Sequence, residues 1–144
     1  MSKRFVTIKI VDACPMQALQ AELKGYRTNN IPSETAGYEL TYEDGYKSWC
    51  PKDVFDENAV EVKDIDCSIY KCQDTYPDYV NRMITELYEL ISKMNEIFDF
   101  SNTEEFDKLD EYKQNLLRKQ SRIMLGYVSI LRERIIDEIS IPVE

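Results

Sequence analysis

The residues best suited to chemistry in this chain are arginines on one apolar run. Between Tyr112 and Ile135 the sequence YKQNLLRKQSRIMLGYVSILRERI holds Lys113, Arg118, Lys119, Arg122, Arg132 and Arg134, with Glu133 the single acid. The chain as a whole is acidic, with a formal net charge of −9. Arginine forks suit phosphate oxygens, and Asn or Gln amides suit base edges and ribose hydroxyls. Asn115 precedes Arg118 by about one helical turn, and Arg118 and Arg122 share a face at i,i+4. Phe106 and Tyr127 offer aromatic faces nearby. The plainer reading is a solvated basic face: cations complementing the C-terminal end of a helix dipole, or pairing with Glu86, Glu89 or Glu96 on a neighbouring helix.

Composition narrows the chemistry. The sequence contains no histidine, which removes Ser/His and Cys/His mechanisms and most imidazole acid–base work. Cys14, Cys50, Cys67 and Cys72 include no CxxC pair and have no His partner, so no zinc site is expected. They read as reduced thiols. Cys50 beside Pro51 has no visible activating base. The acids are scattered rather than paired at metal-ligand spacing. No catalytic residue, metal or cofactor is therefore assigned. The acidic balance argues against coating DNA or RNA, because neutralising phosphates requires a basic surface. It leaves room for a small anion in a local basic pocket. MSKRFVTIKIVD lacks the apolar core of a secretory signal, and no run reaches the roughly 18 apolar residues of a membrane span.

Two segments must position these residues. The fold class expected is α+β: a small antiparallel unit over 1–72, then a two-helix hairpin over 77–140. In the first, RFVTIKIV alternates Phe5, Thr7, Lys9 against Val6, Ile8, Ile10, which predicts a strand. Pro15 suits the first turn of a short helix and Gly25 its C′ position. Asn29, Asn30, Pro32 and Ser33 mark a loop. Tyr38–Glu43 and Tyr46–Cys50 flank Asp44-Gly45, a strong hairpin signal. Pro51 ends that strand and opens a turn through Asp53–Phe55. A further strand is expected from Val60 to Ile65, for three to four in all. Trp49 is placed on the packed face of the sheet.

In the second segment Pro77 sits at a helix start with Thr75 as cap. Val80, Met83, Ile84, Leu87, Tyr88, Ile91, Met94 and Phe98 then recur at steps of three and four, the apolar face of a helix ending near Ile97 or Phe98. Ser101-Asn102-Thr103 interrupts it. Thr103 caps a short turn through Leu109, and Asp110 starts a long helix running to about Ile139, with Pro142 beyond. The helices have about 20 and about 30 residues, roughly 30 and 45 Å. The longer one is apolar on more than one side, so it needs more than one partner, and self-association is expected.

The motif RMITELYELISKMNEIF followed by EEFDKLDEYKQNLLRKQSRIMLGYVSILRERI resembles the helical hairpin of phage sponge proteins that counter Thoeris and CBASS immunity. The order of a small β unit before two long helices most resembles the first type of Thoeris anti-defence protein. The resemblance spans about Arg82 to Ile135. It implies a non-enzymatic protein of the host bacterial cytoplasm that binds and sequesters nucleotide second messengers. These are cyclic ADP-ribose isomers, glycocyclic forms included, and cyclic di- or trinucleotides. It also implies a homohexamer, a trimer of dimers, with pockets between subunits. Carried over residue by residue, it suggests Phe106 for base stacking, Asn115 for fixing the base and Arg132 for phosphate, with Arg134 close behind. Arg118 and Arg122 are alternatives, or line a second pocket for trinucleotides, and Phe106 fits hairpin core equally well. The competing function is an interaction protein, or acidic decoy, for a host protein.

Overall fold

The computed structural model describes residues 1–63 and 70–139. The chain divides into two compact units, Met1–Val60 and Glu61–Glu144.

The first unit is a three-stranded antiparallel sheet, β1 (Val11–Pro15), β2 (Gly37–Tyr42) and β3 (Lys47–Pro51), in the order β1-β2-β3, with helix α1 (Ala18–Leu23) between β1 and β2. The Asp44-Gly45 hairpin forms. Gly45 takes a φ of +89°, a left-handed conformation that glycine adopts without steric cost. Its N–H donates to the Tyr42 carbonyl, and the Tyr46 N–H donates to the Asp44 carboxylate. Gly25, at φ +90°, follows α1 as expected of a C′ residue.

Trp49 packs with Ala18 and Ala21 of α1, and its indole N–H donates to the Met16 carbonyl at 2.8 Å. On the other face of the sheet the Tyr38 ring meets Phe55, their centroids 4.7 Å apart. Phe55 belongs to α2 (Lys52–Asn58), the helical turn that Pro51 opens.

Three expectations change here. Phe5 to Ile10 are outside the sheet, and the first strand starts at Val11. Its partner β2 is paired up to Tyr42 and then turns, so nothing in the hairpin lies opposite the earlier residues. Pro15 ends β1 instead of entering the helix, which starts at Ala18. Residues 60–63 form no strand, and the rest of the expected Val60–Ile65 strand falls outside the described residues.

The second unit is helical: α3 (Asp78–Ser101), the one-turn α4 (Glu104–Asp107) and α5 (Glu111–Ile139). Pro77 occupies the cap position of α3, but Thr75 does not cap it; its hydroxyl turns to Gln73. Thr103 and Asp110 do act as caps, accepting from the N–H groups of Phe106 and Lys113 at 3.3 and 2.8 Å. The core joins Val80, Met83, Ile84 and Leu87 of α3 to Val128, Leu131 and Ile135 of α5, with Tyr70 at one side. Tyr79 to Glu138 (2.7 Å) and Tyr127 to Glu86 tie the helices across this end by phenol–carboxylate hydrogen bonds.

Packing is one-ended. The apolar stripe of α3 continues through Met94, Ile97 and Phe98, but these lie half-buried or exposed. On α5, Leu116, Ile123 and Ile130 are 46%, 50% and 52% exposed, one every two turns, so a continuous apolar line is left uncovered within this unit.

Candidate functional site

The turn at α4 builds the first part of the site. Thr103 caps it, which sets the Phe106 side chain inward, 5% exposed, edge-on to Phe100 at 6.0 Å between centroids. The chain then reverses into α5. Gln114 closes that reversal from its first turns: its amide N–H group donates to the carbonyls of Phe106 (3.0 Å) and Leu109 (3.1 Å). The Phe106 carbonyl also accepts from the Leu109 N–H at 3.0 Å, so Gln114 adds a second donor to it.

Arg118 sits one turn further on. Its guanidinium carbon stands 5.5 Å from the Phe106 ring centroid, a cation–π arrangement. One terminal nitrogen donates to the Asn115 side-chain carbonyl at 3.0 Å, the other to that of Gln114 at 3.4 Å. Phe106, Gln114, Asn115 and Arg118 are thus one hydrogen-bonded and stacked group at the turn end of the hairpin. Arg118 and Asn115 are exposed, so the group presents guanidinium and amide to solvent. Arg122, half-buried, follows Arg118 by one turn on the same face. Gly126 comes one turn later with nothing within 4 Å of where a Cβ would stand. From Asn115 to Arg122 is about 10 Å along the axis. An amide and two guanidiniums are spread over that length, while the Phe106 ring itself lies buried beneath Arg118.

The other two arginines lie elsewhere. Arg132 is about 21 Å along α5 from Arg118. It is buried, with one terminal nitrogen on Glu133 at 2.7 Å, and its Nε is buried without a hydrogen-bond partner. A buried, unpaired guanidinium N–H is costly unless an acceptor reaches it. Arg134 is exposed and lies about three helical turns beyond Ile123, so it shares the uncovered apolar face. Tyr127, which offers a ring on that face at 44% exposure, spends its hydroxyl on Glu86, and that hydrogen bond raises the phenol pKa.

The basic residues do not serve the helix dipole: the last turn of α5 contains none. Nor is Cys50 an activated nucleophile, because burial pushes its thiol pKa up. Among the described residues no group of three or more His, Cys, Asp or Glu could hold a metal ion, and no helix is long and apolar enough to cross a membrane.

Sequence reasoning did not find Gln114 or Phe100. Gln114 matters only because the α4–α5 turn folds the Phe106 carbonyl back over it. Phe100 lies beyond Phe98, where the apolar stripe read from the sequence ends, because α3 runs on to Ser101.

Comparison with known proteins places this hairpin. Residues 77–137 match the family model Sequestin. No curated protein and no solved structure gives a significant match. The match runs from the proline that opens α3 to within a turn of the end of α5, so it covers every candidate residue above. Residues 77–137, less than half of the chain, are thus similar to the Sequestin family, the phage sponges directed against Thoeris and CBASS immunity that the helical motif resembles, and this likeness supports a sequestering role in general.

Proposed function

We propose that this protein is a non-catalytic sponge that binds cyclic ADP-ribose isomers, and cyclic di- or trinucleotides, and holds them intact away from their effectors. The observation that carries the reading is the stacked group at the turn end of the hairpin. Arg118 lies over Phe106 and is oriented by Asn115 and Gln114, with Arg122 one turn beyond. A phosphate takes the solvent-facing guanidinium of Arg118, with Arg122 one turn further along the same face, and an adenine stacks on the outer side of the Arg118 plane with Asn115 on its edge.

One hairpin cannot bring Arg134 to this group, because it faces the uncovered apolar line. A second copy can. Antiparallel packing of two α5 helices about Ile123 sets Leu116 against Ile130 of the other copy, and the same two-fold sets Arg134 level with Tyr112, about one turn from Asn115. The pocket is then closed between subunits, and pairs of this kind are the units of a hexamer. Arg132, half a turn round α5 from Ile123, lies on the opposite side of the helix from this contact.

The test is incubation with cyclic ADP-ribose isomers and a panel of cyclic nucleotides under native mass spectrometry, followed by heating. Retention of ligand and its release unchanged are expected. A cleaved product overturns the sponge and makes the protein an enzyme. Indifference to every nucleotide, with capture of a host protein, favours the decoy.

A further inference from the structure

The segment just before β1 has strand chemistry and no partner. Phe5, Val6, Thr7, Ile8, Ile10 and Val11 are β-branched or aromatic residues, the types that favour strands. Yet residues 1–10 form no ladder, and Phe5 and Val6 are 79% and 81% exposed. The reason is geometric: β2 ends at Tyr42 in the hairpin turn, while Lys9 reaches back over the Tyr42 ring at 5.0 Å. Strand β1 is also an edge strand. A long apolar edge invites pairing with another chain, and natural proteins usually blunt it.

We propose that Arg4–Asp12 pairs antiparallel with the same segment of a second copy, so that the extensions leading into the two β1 strands form one shared ladder. The sequence RFVTIKIVD is self-complementary about Ile8. A two-fold through Ile8 sets Arg4 opposite Asp12, Phe5 opposite Val11, Val6 opposite Ile10 and Thr7 opposite Lys9. Opposed residues in an antiparallel pair share a face, and this pairing respects that at every position. Two Arg–Asp pairs close its ends, and among the described residues neither Arg4 nor Asp12 has an ion-pair partner within its own chain. Aromatic, β-branched and opposite-charge pairs of this kind stabilise sheets. The neighbouring registers are worse. A slip of two residues one way sets Lys9 against Lys9 and Asp12 against Val6. The other way sets Arg4 against Ile10 and Lys9 against Phe5. A slip of one reverses the faces. This contact is separate from the hairpin and does not depend on the ligand.

The full-length protein with Ile8→Cys, in a Cys14→Ser background, tests the register. Under mild oxidation it forms a disulfide-linked dimer at least about tenfold faster than Val6→Cys, whose sulfur lies some 13 Å from its own mate in this register. Charge exchange gives the second arm. Arg4→Asp and Asp12→Arg each weaken assembly in sedimentation by roughly fivefold, and the double variant recovers it. Equal linking rates for the two cysteine variants, or no recovery in the double variant, overturns the pairing.

Discussion

At the scale of the residue, Arg118 has two jobs that substitution can separate. It carries charge, and its planar group stacks on Phe106 while both ends are held by amides. Lysine keeps the charge but loses the plane and the fork. Arg118→Lys is therefore expected to lose most of the nucleotide affinity that Arg118→Ala loses, on the order of tenfold or more, with unchanged circular dichroism because the side chain is exposed. Isothermal titration with a cyclic ADP-ribose isomer measures it, and full affinity in the lysine variant refutes the stacking role. A second residue-scale expectation concerns pH. Glu39 accepts from the Tyr26 hydroxyl at 2.8 Å and from Lys24 at 3.2 Å, and these hydrogen bonds, Tyr26 first, lower its pKa. A carboxyl held below its ordinary value contributes stability that is present at neutral pH and lost as pH falls through the folded pKa. Tyr26→Phe removes the larger contribution, so the first unit should begin to unfold at higher pH in an acid titration followed by Trp49 fluorescence. Superimposable titrations of variant and parent contradict that account.

At the scale of the element, two glycines make opposite predictions. A Cβ on Gly37 would stand 2.4 Å from the Trp49 ring and 2.5 Å from the Cys50 carbonyl oxygen. Neither can yield easily, since Trp49 is anchored on Met16 and the carbonyl is backbone. Gly37→Ala should cost about 1–3 kcal/mol in denaturant unfolding of the sheet. Gly126 is mid-helix with open space around it. Gly126→Ala should stabilise the isolated hairpin by up to about 1 kcal/mol. If that gain comes with lost nucleotide binding, the glycine serves close approach of the ligand or of a second copy; if binding is unchanged, it is only a tolerated glycine. The element boundaries legible in the sequence were those with local signals: Asp44-Gly45, Gly25, Thr103 and Asp110 each act within three or four residues. The first strand was misplaced because alternation reports a propensity for pairing, while the partner strand decides how much of it is paired.

For the whole molecule, the packing of the hairpin at one end and its bareness at the other are the features that matter. Leu116, Ile123 and Ile130 form a line that one chain leaves half exposed. Ile123→Asp places a charge at the centre of the proposed α5 pair, where it would meet its own symmetry mate. Loss of the α5 contact is expected, leaving no assembly in sedimentation equilibrium beyond the pair joined through Arg4–Asp12, together with loss of nucleotide retention, because Arg134 then no longer reaches the neighbouring pocket. An intact oligomer would show that the copies meet elsewhere. The thermal stability of the monomeric hairpin should barely change, since its own core lies on the other side of α5 around Leu131 and Ile135.

The sequence by itself determined the order of the parts: a small antiparallel sheet, then two unequal helices with a capped break between them. It also determined the chemistry on offer, because the absence of histidine and the gathering of arginines on α5 are properties of composition and spacing. Only the tertiary structure decided which of those arginines keep company. Arg118 meets Phe106 because the α4 turn folds the ring back under it, a contact no periodicity encodes. Arg132 is buried and Arg134 is set on the bare face by the rotation of α5 against α3, which the buried contacts of Leu87, Val128 and Leu131 select. Helical spacing says which residues share a face; the packing partner says which face is covered.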